Sequence, residues 1–138
     1  MSRENVAVVN RALSAINDRD VDAYLALCRP DVELINPVTA IEGSTRGEPG
    51  VRRFFDGIRE ATTRFQFEVE RLLPLGDDRV LAFLTLNWES ERGFPQRQQL
   101  TNLYELEGGK LLRIRVFRDR HEALEAARLS EEEAQADS

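Results

Sequence analysis

After Thr63 the apolar side chains of this chain change from a helical repeat to strict alternation, and no other feature restricts the fold as much. Before that point Val6, Val9, Leu13 and Ile16 recur three and four residues apart, on one face of a helix that Ser2 can cap. A second helix has Asp20 as its cap, Val21, Tyr24, Leu25 and Cys28 as its stripe, and Pro30 as its stop. Val32 and Leu34 alternate with Asp31, Glu33 and Ile35 in a short strand that ends at Asn36-Pro37. Pro49 then falls in the first turn of a third helix, where its missing N–H goes unused; Val51, Phe54, Phe55 and Ile58 share a face of it.

Beyond Thr63, Phe65, Phe67 and Val69 alternate with Gln66, Glu68 and Glu70 in a half-exposed strand. Gly76-Asp77-Asp78 turns the chain into residues 80–88, an almost unbroken apolar run that reads as a strand buried on both faces. A turn at Arg92-Gly93 leads to a strand at 98–106, and Gly108-Gly109 signals a tight hairpin into the last strand, 111–117. Asp119 and Glu122 form a capping-box pattern for a short final helix containing Leu124. Helices, a strand and a helix followed by an antiparallel meander make an α+β layout, and the length suits one domain over residues 1–129.

Composition narrows the function classes. One Cys and one His cannot supply a zinc site of His and Cys ligands or a disulfide framework, so no metal site is expected. With 25 acidic against 19 basic residues, a nucleic-acid partner is not expected. No apolar run reaches the ~18 residues of a membrane span, and no secretory core follows Met1, so the chain reads as cytoplasmic. The net charge of −6 owes much to residues 130–138, an acidic stretch expected to be a disordered tail; the rest is close to neutral. Every basic residue but Lys110 is Arg, a bias that reads either as anion recognition or as ordinary surface charge.

The element order, together with the segments NDRDVDAYLALCRPDVELINP, STRGEPGVRRFFDGIRE and GGKLLRIRVFRDRHEALEAA, resembles the SnoaL-like (polyketide cyclase) and ketosteroid-isomerase-like branch of the nuclear-transport-factor-2-like superfamily. The resemblance spans about residues 4–128. It implies a cone-shaped, curved antiparallel sheet wrapped around three N-terminal helices, with a mostly apolar pocket and no cofactor. It implies a pocket protein for a small, largely apolar carbonyl- or hydroxyl-bearing molecule, with cyclase- or isomerase-type activity. A non-catalytic ligand-binding or dimerisation module is the alternative, since one fold hosts many activities.

Strand parity assigns faces. A two-residue turn at Arg92-Gly93 would pair Phe83 with Asn102, Thr85 with Leu100 and Asn87 with Gln98. Phe83, Thr85, Leu100, Asn102 and Tyr104 would then line the pocket with Ile114 and Val116, joined by Tyr24, Asn36 and Phe54. The opposite face would carry Leu84, Leu86, Trp88, Thr101, Leu103 and Phe117, a patch apolar enough to expect a homodimer through it. A neighbouring element such as the final helix covering the patch is the competing reading.

The family's catalytic groups are replaced here. The resemblance places the isomerase base at Asn36, the oxyanion acid at Asn102 and the helix tyrosine near Ala12. A neutral amide cannot abstract a proton, so Asn36 is no base, although Asn102 can still donate to a carbonyl oxygen. The epoxide-hydrolase pattern fails at Val116, where an acid is required, and His121 lies beyond the last strand, away from any dehydratase-like pairing. Asp119 reads as a cap, Cys28 as a buried apolar group, and Asp31 and Glu33 as solvent-facing. Residues 39–47 hold Glu42 and Arg46 beside the expected mouth. Two amides, Asn36 and Asn102, remain as the best candidates for chemistry or recognition, bonded to each other, to water or to a ligand.

Overall fold

The computed structural model describes residues 2–36 and 45–128. Helices α1 (Ser2–Asn17) and α2 (Val21–Ala26) precede strand β1 (Cys28–Ile35) and the short β2 (Thr45–Arg46). Helix α3 (Gly47–Ala61) runs into the long strands β3 (Thr62–Leu75), β4 (Arg79–Ser90) and β5 (Pro95–Glu107). Strand β6 (Lys110–Phe117) and helix α4 (Arg120–Ala126) complete the fold. The six strands form one open sheet in the order β2-β1-β6-β5-β4-β3; β1 and β6 are parallel and every other pair antiparallel. Register shifts between Val69 and Arg71 and between Glu105 and Leu106 mark the irregularities at which such a sheet bends.

The inner side of the sheet packs on the helices. Val9, Leu13 and Ile16 of α1, Tyr24 of α2 and Val51, Phe55 and Ile58 of α3 meet Val32, Leu34, Val80, Ala82, Leu84, Tyr104 and Ile114. Each large side chain sealed there contributes about 1.5–3 kcal/mol relative to exposure. Asn17 fixes α1 to the edge strand, donating to the Phe67 carbonyl at 3.0 Å and accepting from the Phe67 N–H at 2.8 Å. A second, smaller core lies on the outer side, where Ala123, Leu124 and Ala127 close over Leu73, Leu81, Phe83 and Leu103.

Two local expectations give way to tertiary pairing. Helix α2 stops at Ala26, with Leu27 as its C-cap, and Cys28 opens a strand instead of extending the helix. Cys28 pairs with Leu111, whose N–H donates to the Leu27 carbonyl at 2.9 Å; that distant partner outweighs the helical spacing of Cys28. Glu33 does point away from Val32 and Leu34, but its side chain is only 13% exposed, held between Arg113 at 3.0 Å and Arg46 at 3.2 Å.

The β4–β5 hairpin brings the larger correction. Glu89 pairs with Pro95, so five residues separate the pair, and Gly93 takes the positive φ of 79° that such a loop uses. An odd count shifts the register by one and exchanges the faces of one strand relative to the other. Asn102 therefore faces Ala82, Leu100 faces Leu84, and Asn87 faces Arg97. Phe83 and Thr85, expected in the pocket, lie on the outer side; Leu84, Leu86 and Trp88, expected outside, lie on the inner side with Asn102. The continuous apolar outer patch is thus not formed. Around Phe83 and Leu103 the outer side is covered by α4, and beyond it the side reads Thr85, Asn87, Gln99 and Arg97.

Candidate functional site

The inner side of β5 and β6 holds the polar groups that the core has to accommodate. The two-residue turn at Gly108 and Gly109, with φ of 60° and 77°, sets Glu107 opposite Lys110 and Leu106 opposite Leu111, and the register shift between Glu105 and Leu106 then places Tyr104 opposite Ile114 and Asn102 opposite Val116. Leu34 lies beside Ile114 and Ile35 beside Arg115, and Asn36 follows directly at the end of β1, next to the Val116 end of β6. Asn36 is half-buried and makes further interactions of its own.

Asn102 is 4% exposed. Its Nδ2 donates to the Tyr104 hydroxyl at 3.2 Å, and its buried Oδ1 has no hydrogen-bond partner among the described residues. Tyr104 and Tyr24 are fully enclosed, and Tyr24 meets the Phe55 ring edge-on at 5.5 Å between centroids, with Phe54 stacked edge-on against Phe55 at 5.9 Å. Cys28 donates its Sγ hydrogen to the Tyr24 carbonyl at 3.3 Å.

Burial decides the protonation of this cluster. It pushes the Tyr104 hydroxyl up to about 12 against the opposing hydrogen bond from Asn102, and the Cys28 thiol up to about 12 against the pull of Lys110. Tyr24 is raised well above its ordinary value by burial, then by the nearby Cys28 and Tyr104. All three stay neutral at physiological pH, so the cluster recognises polar atoms by hydrogen bonding and none of the three serves as a base.

Of the remaining expected lining residues, Leu100 and Ile114 are buried on the inner side, Phe54 packs at its margin, and Val116 is half-buried at the strand end. Asn36 and Val116 border a groove of about 350 Å³ together with Ile35, Arg118 and Glu122. Sequence reasoning does not find Arg118 and Glu122 here: only the return of the chain into α4 carries them to Asn36, so nothing in their own segment marks them. Arg46 is turned to Glu33 on the outer side, where Arg113 and Arg115 also meet Glu105. Outside, the Thr85 hydroxyl donates to the Glu70 carboxylate, and Phe83 lies under the guanidinium of Arg120 at 4.7 Å. Asp119 accepts from the His121 N–H at 2.8 Å as the cap of α4, and the exposed His121 ring approaches Glu125 at 3.7 Å. Glu42 and residues 130–138 lie outside the described residues. Among the described residues no three His, Cys, Asp or Glu side chains come together as metal ligands, and no helix is long and apolar enough to cross a membrane.

The sequence model of the SnoaL-like domain matches residues 9–114. No curated protein matches the sequence. Among solved structures, TerC co-crystallised with polyporic acid is 22% identical, covering 91% of this chain and 98% of its own, with a TM-score of 0.76. Rv0760c from Mycobacterium tuberculosis, in complex with estradiol-17beta-hemisuccinate, is 21% identical over 85% of this chain and 95% of its own, with a TM-score of 0.74. A putative SnoaL-like polyketide cyclase from Jannaschia sp. CCS1 is 19% identical over 91% and 92%, with a TM-score of 0.75. At such identities the likeness is one of fold.

Proposed function

Because the chain belongs to the SnoaL-like domain family, we propose that it binds a small, largely apolar molecule on the inner side of the sheet, and that Asn102 and Tyr104 recognise a hydroxyl or carbonyl on it. The observation that carries this reading is the Asn102 amide, buried with its nitrogen on Tyr104 and its oxygen unpartnered among the described residues. A buried acceptor left open costs about 1–3 kcal/mol, and a ligand hydroxyl would recover that. Apolar Leu84, Leu100 and Ile114 around it suit the body of such a molecule. Relatives of the same fold hold polyporic acid and estradiol-17beta-hemisuccinate, which supports a small-molecule role.

The same geometry allows a catalytic form of this reading. An amide and a neutral tyrosine can stabilise charge developing on a ligand oxygen, so a cyclase- or isomerase-type reaction would rest on positioning and oxyanion stabilisation without the usual Asp base. Asn36→Asp tests it: the variant should acquire proton-abstracting isomerase activity on a β,γ-unsaturated ketone. If the Asn36→Asp protein is inert with its fold intact, the non-catalytic binding module is the better reading.

The test of binding is a titration of the amide NMR spectrum with a panel of hydroxyl- and carbonyl-bearing polycycles. Shifts should gather at Leu84, Leu100, Asn102, Tyr104 and Ile114 and disappear in Asn102→Leu. A panel that leaves those five residues unmoved refutes the reading.

Cytoplasmic residence belongs to the same reading, supported by the single buried Cys28, which needs no oxidising compartment. So does a homodimer through the outer sheet face, whose remaining apolar support there is the half-buried Phe117, since Leu103 is sealed under α4. Sedimentation of a monomer at micromolar concentration would end the dimer.

A further inference from the structure

A groove of about 530 Å³ lies beside the inner cluster, between the α1–α2 corner, the stretch of α3 from Arg52 to Arg59 and the start of β3. Three arginines from separate places converge on it: Arg19 from the corner, and Arg52 and Arg59 from α3. Val21 and Phe55 supply its apolar surface, and Thr62 and Thr63 its far wall. Both hydroxyls are already engaged as donors, Thr62 to the Ile58 carbonyl at 2.6 Å and Thr63 to the Ser90 carbonyl at 3.5 Å.

The arginines differ in what neutralises them. Arg52 is held by Glu48 at 2.9 Å and Asp22 at 3.3 Å, and Arg59 by Asp56 at 2.6 Å. Arg19 meets no carboxylate among the described residues; its Nη1 donates to the carbonyls of Ile16 at 2.8 Å and Asn17 at 3.4 Å, and its guanidinium lies 5.6 Å from the Phe65 ring centroid. Arg19 also stands at the end of α1 with φ of 58°, the left-handed conformation that glycine takes there without steric cost. A long cationic side chain is thus kept where the backbone favours none. Asp56 lines the groove as well, and Asp22, Glu48 and Asp56 together match the three arginines in charge; Arg19 is the guanidinium among them that makes no ion pair among the described residues, and it stands beside an apolar floor.

We infer that this groove is a second binding site, for a small organic monoanion, whose carboxylate meets Arg19 and whose apolar body lies on Val21 and Phe55. One guanidinium without an ion pair, in a groove whose charges otherwise balance, suits a monoanion over a phosphate dianion, and the apolar floor selects an organic acid over an inorganic ion. This site also gives the Arg-rich composition a use that the inner cluster, built from neutral groups, does not.

The experiment titrates the full-length protein with octanoate and with octanamide, its neutral counterpart, following backbone amides and arginine Nε–H signals by NMR. Octanoate should shift Val21, Phe55, Thr62, Thr63 and the Arg19 Nε–H saturably and bind about tenfold or more tighter than octanamide. Arg19→Gly, which suits the local φ, should stay folded and lose that preference, and Arg59→Gln should weaken octanoate as well. Equal affinity for acid and amide, shifts confined to Asn102 and Tyr104, or unchanged octanoate binding in both folded variants would each overturn the proposal.

Discussion

The Asn102 side chain spans 3.2 Å to the Tyr104 hydroxyl, two residues along the same strand and on the same side of it, and leaves its own carbonyl oxygen buried with no partner among the described residues. A backbone that alternates sides every residue makes this neighbour relation, and the enclosing core makes it matter. The pair is half-satisfied: one hydrogen bond is made in a low-dielectric setting, and one acceptor waits there.

That asymmetry predicts an ordering of stabilities. Tyr104→Phe removes the hydroxyl that accepts from the amide nitrogen and leaves both ends of Asn102 unsatisfied, at a cost of about 1–3 kcal/mol. Adding Asn102→Leu to it removes the stranded amide and should return most of that loss, so the double variant melts above the single one. At about 3–5 °C per kcal/mol for a chain this size, thermal denaturation resolves the difference. A single variant as stable as the parent would show that Tyr104 does not hold the amide.

Alkaline pH should separate the folded chain from the unfolded one. Tyr24, Tyr104 and Cys28 are protonated in both states at neutral pH, so they add no pH dependence there. Above the ordinary values of 9.0 for the thiol and 10.0 for the phenols, the unfolded chain releases protons that the folded chain retains, and stability falls as pH rises toward the folded values of about 12 for Cys28 and Tyr104. The chain has two tyrosines and both are enclosed. Absorbance at the tyrosinate band should therefore stay flat through pH 10 while the protein is folded and rise only with unfolding. One tyrosine's worth of signal centred near pH 10 in folded protein would contradict the buried cluster.

Much of this arrangement is readable in the amino-acid order where local chemistry decides it. Gly108-Gly109 demands a two-residue turn because both positions take positive φ, so the pairing of Glu107 with Lys110 and of Leu106 with Leu111 follows from it, whereas the shift between Glu105 and Leu106 that sets Asn102 opposite Val116 and Tyr104 opposite Ile114 has no such local mark. Pro49 and the Val51, Phe55 and Ile58 stripe mark α3 for the same kind of reason. Features set by distant partners are not readable. Cys28 fits a helical stripe and becomes a strand residue only through Leu111, and Glu33 looks solvated until Arg113 closes on it. The loop between Glu89 and Pro95 carries no signal of its odd length, and that one residue moves Leu84 inward and Phe83 outward.

A pair of crosslinks tests that register directly. Asn87 and Arg97 face each other across β4 and β5 on the outer side, within the separation that a disulfide bridges. Asn87→Cys with Arg97→Cys should oxidise readily, as read by mass spectrometry. Asn87→Cys with Gln98→Cys should not, because Gln98 faces Leu86 and projects from the other side of the sheet. The reverse preference would restore the two-residue turn and return Phe83 and Thr85 to the inner side.

The outer core makes α4 a structural element rather than an appendage. Leu124 is 1% exposed and packs with Leu81, Phe83 and Leu103, so Leu124→Ala should cost about 2–5 kcal/mol, the range for truncating a buried leucine. Asp119→Ala removes the cap bonded to the His121 N–H and should cost about 1 kcal/mol, with Asp119→Asn recovering most of it because an amide oxygen caps as well. His121→Ala, by contrast, alters an exposed ring and should be nearly neutral. Urea denaturation of the three alanine variants and Asp119→Asn gives the ranking. If Leu124→Ala proves as mild as His121→Ala, α4 does not seal Phe83 and Leu103, and the outer face is open to a partner after all.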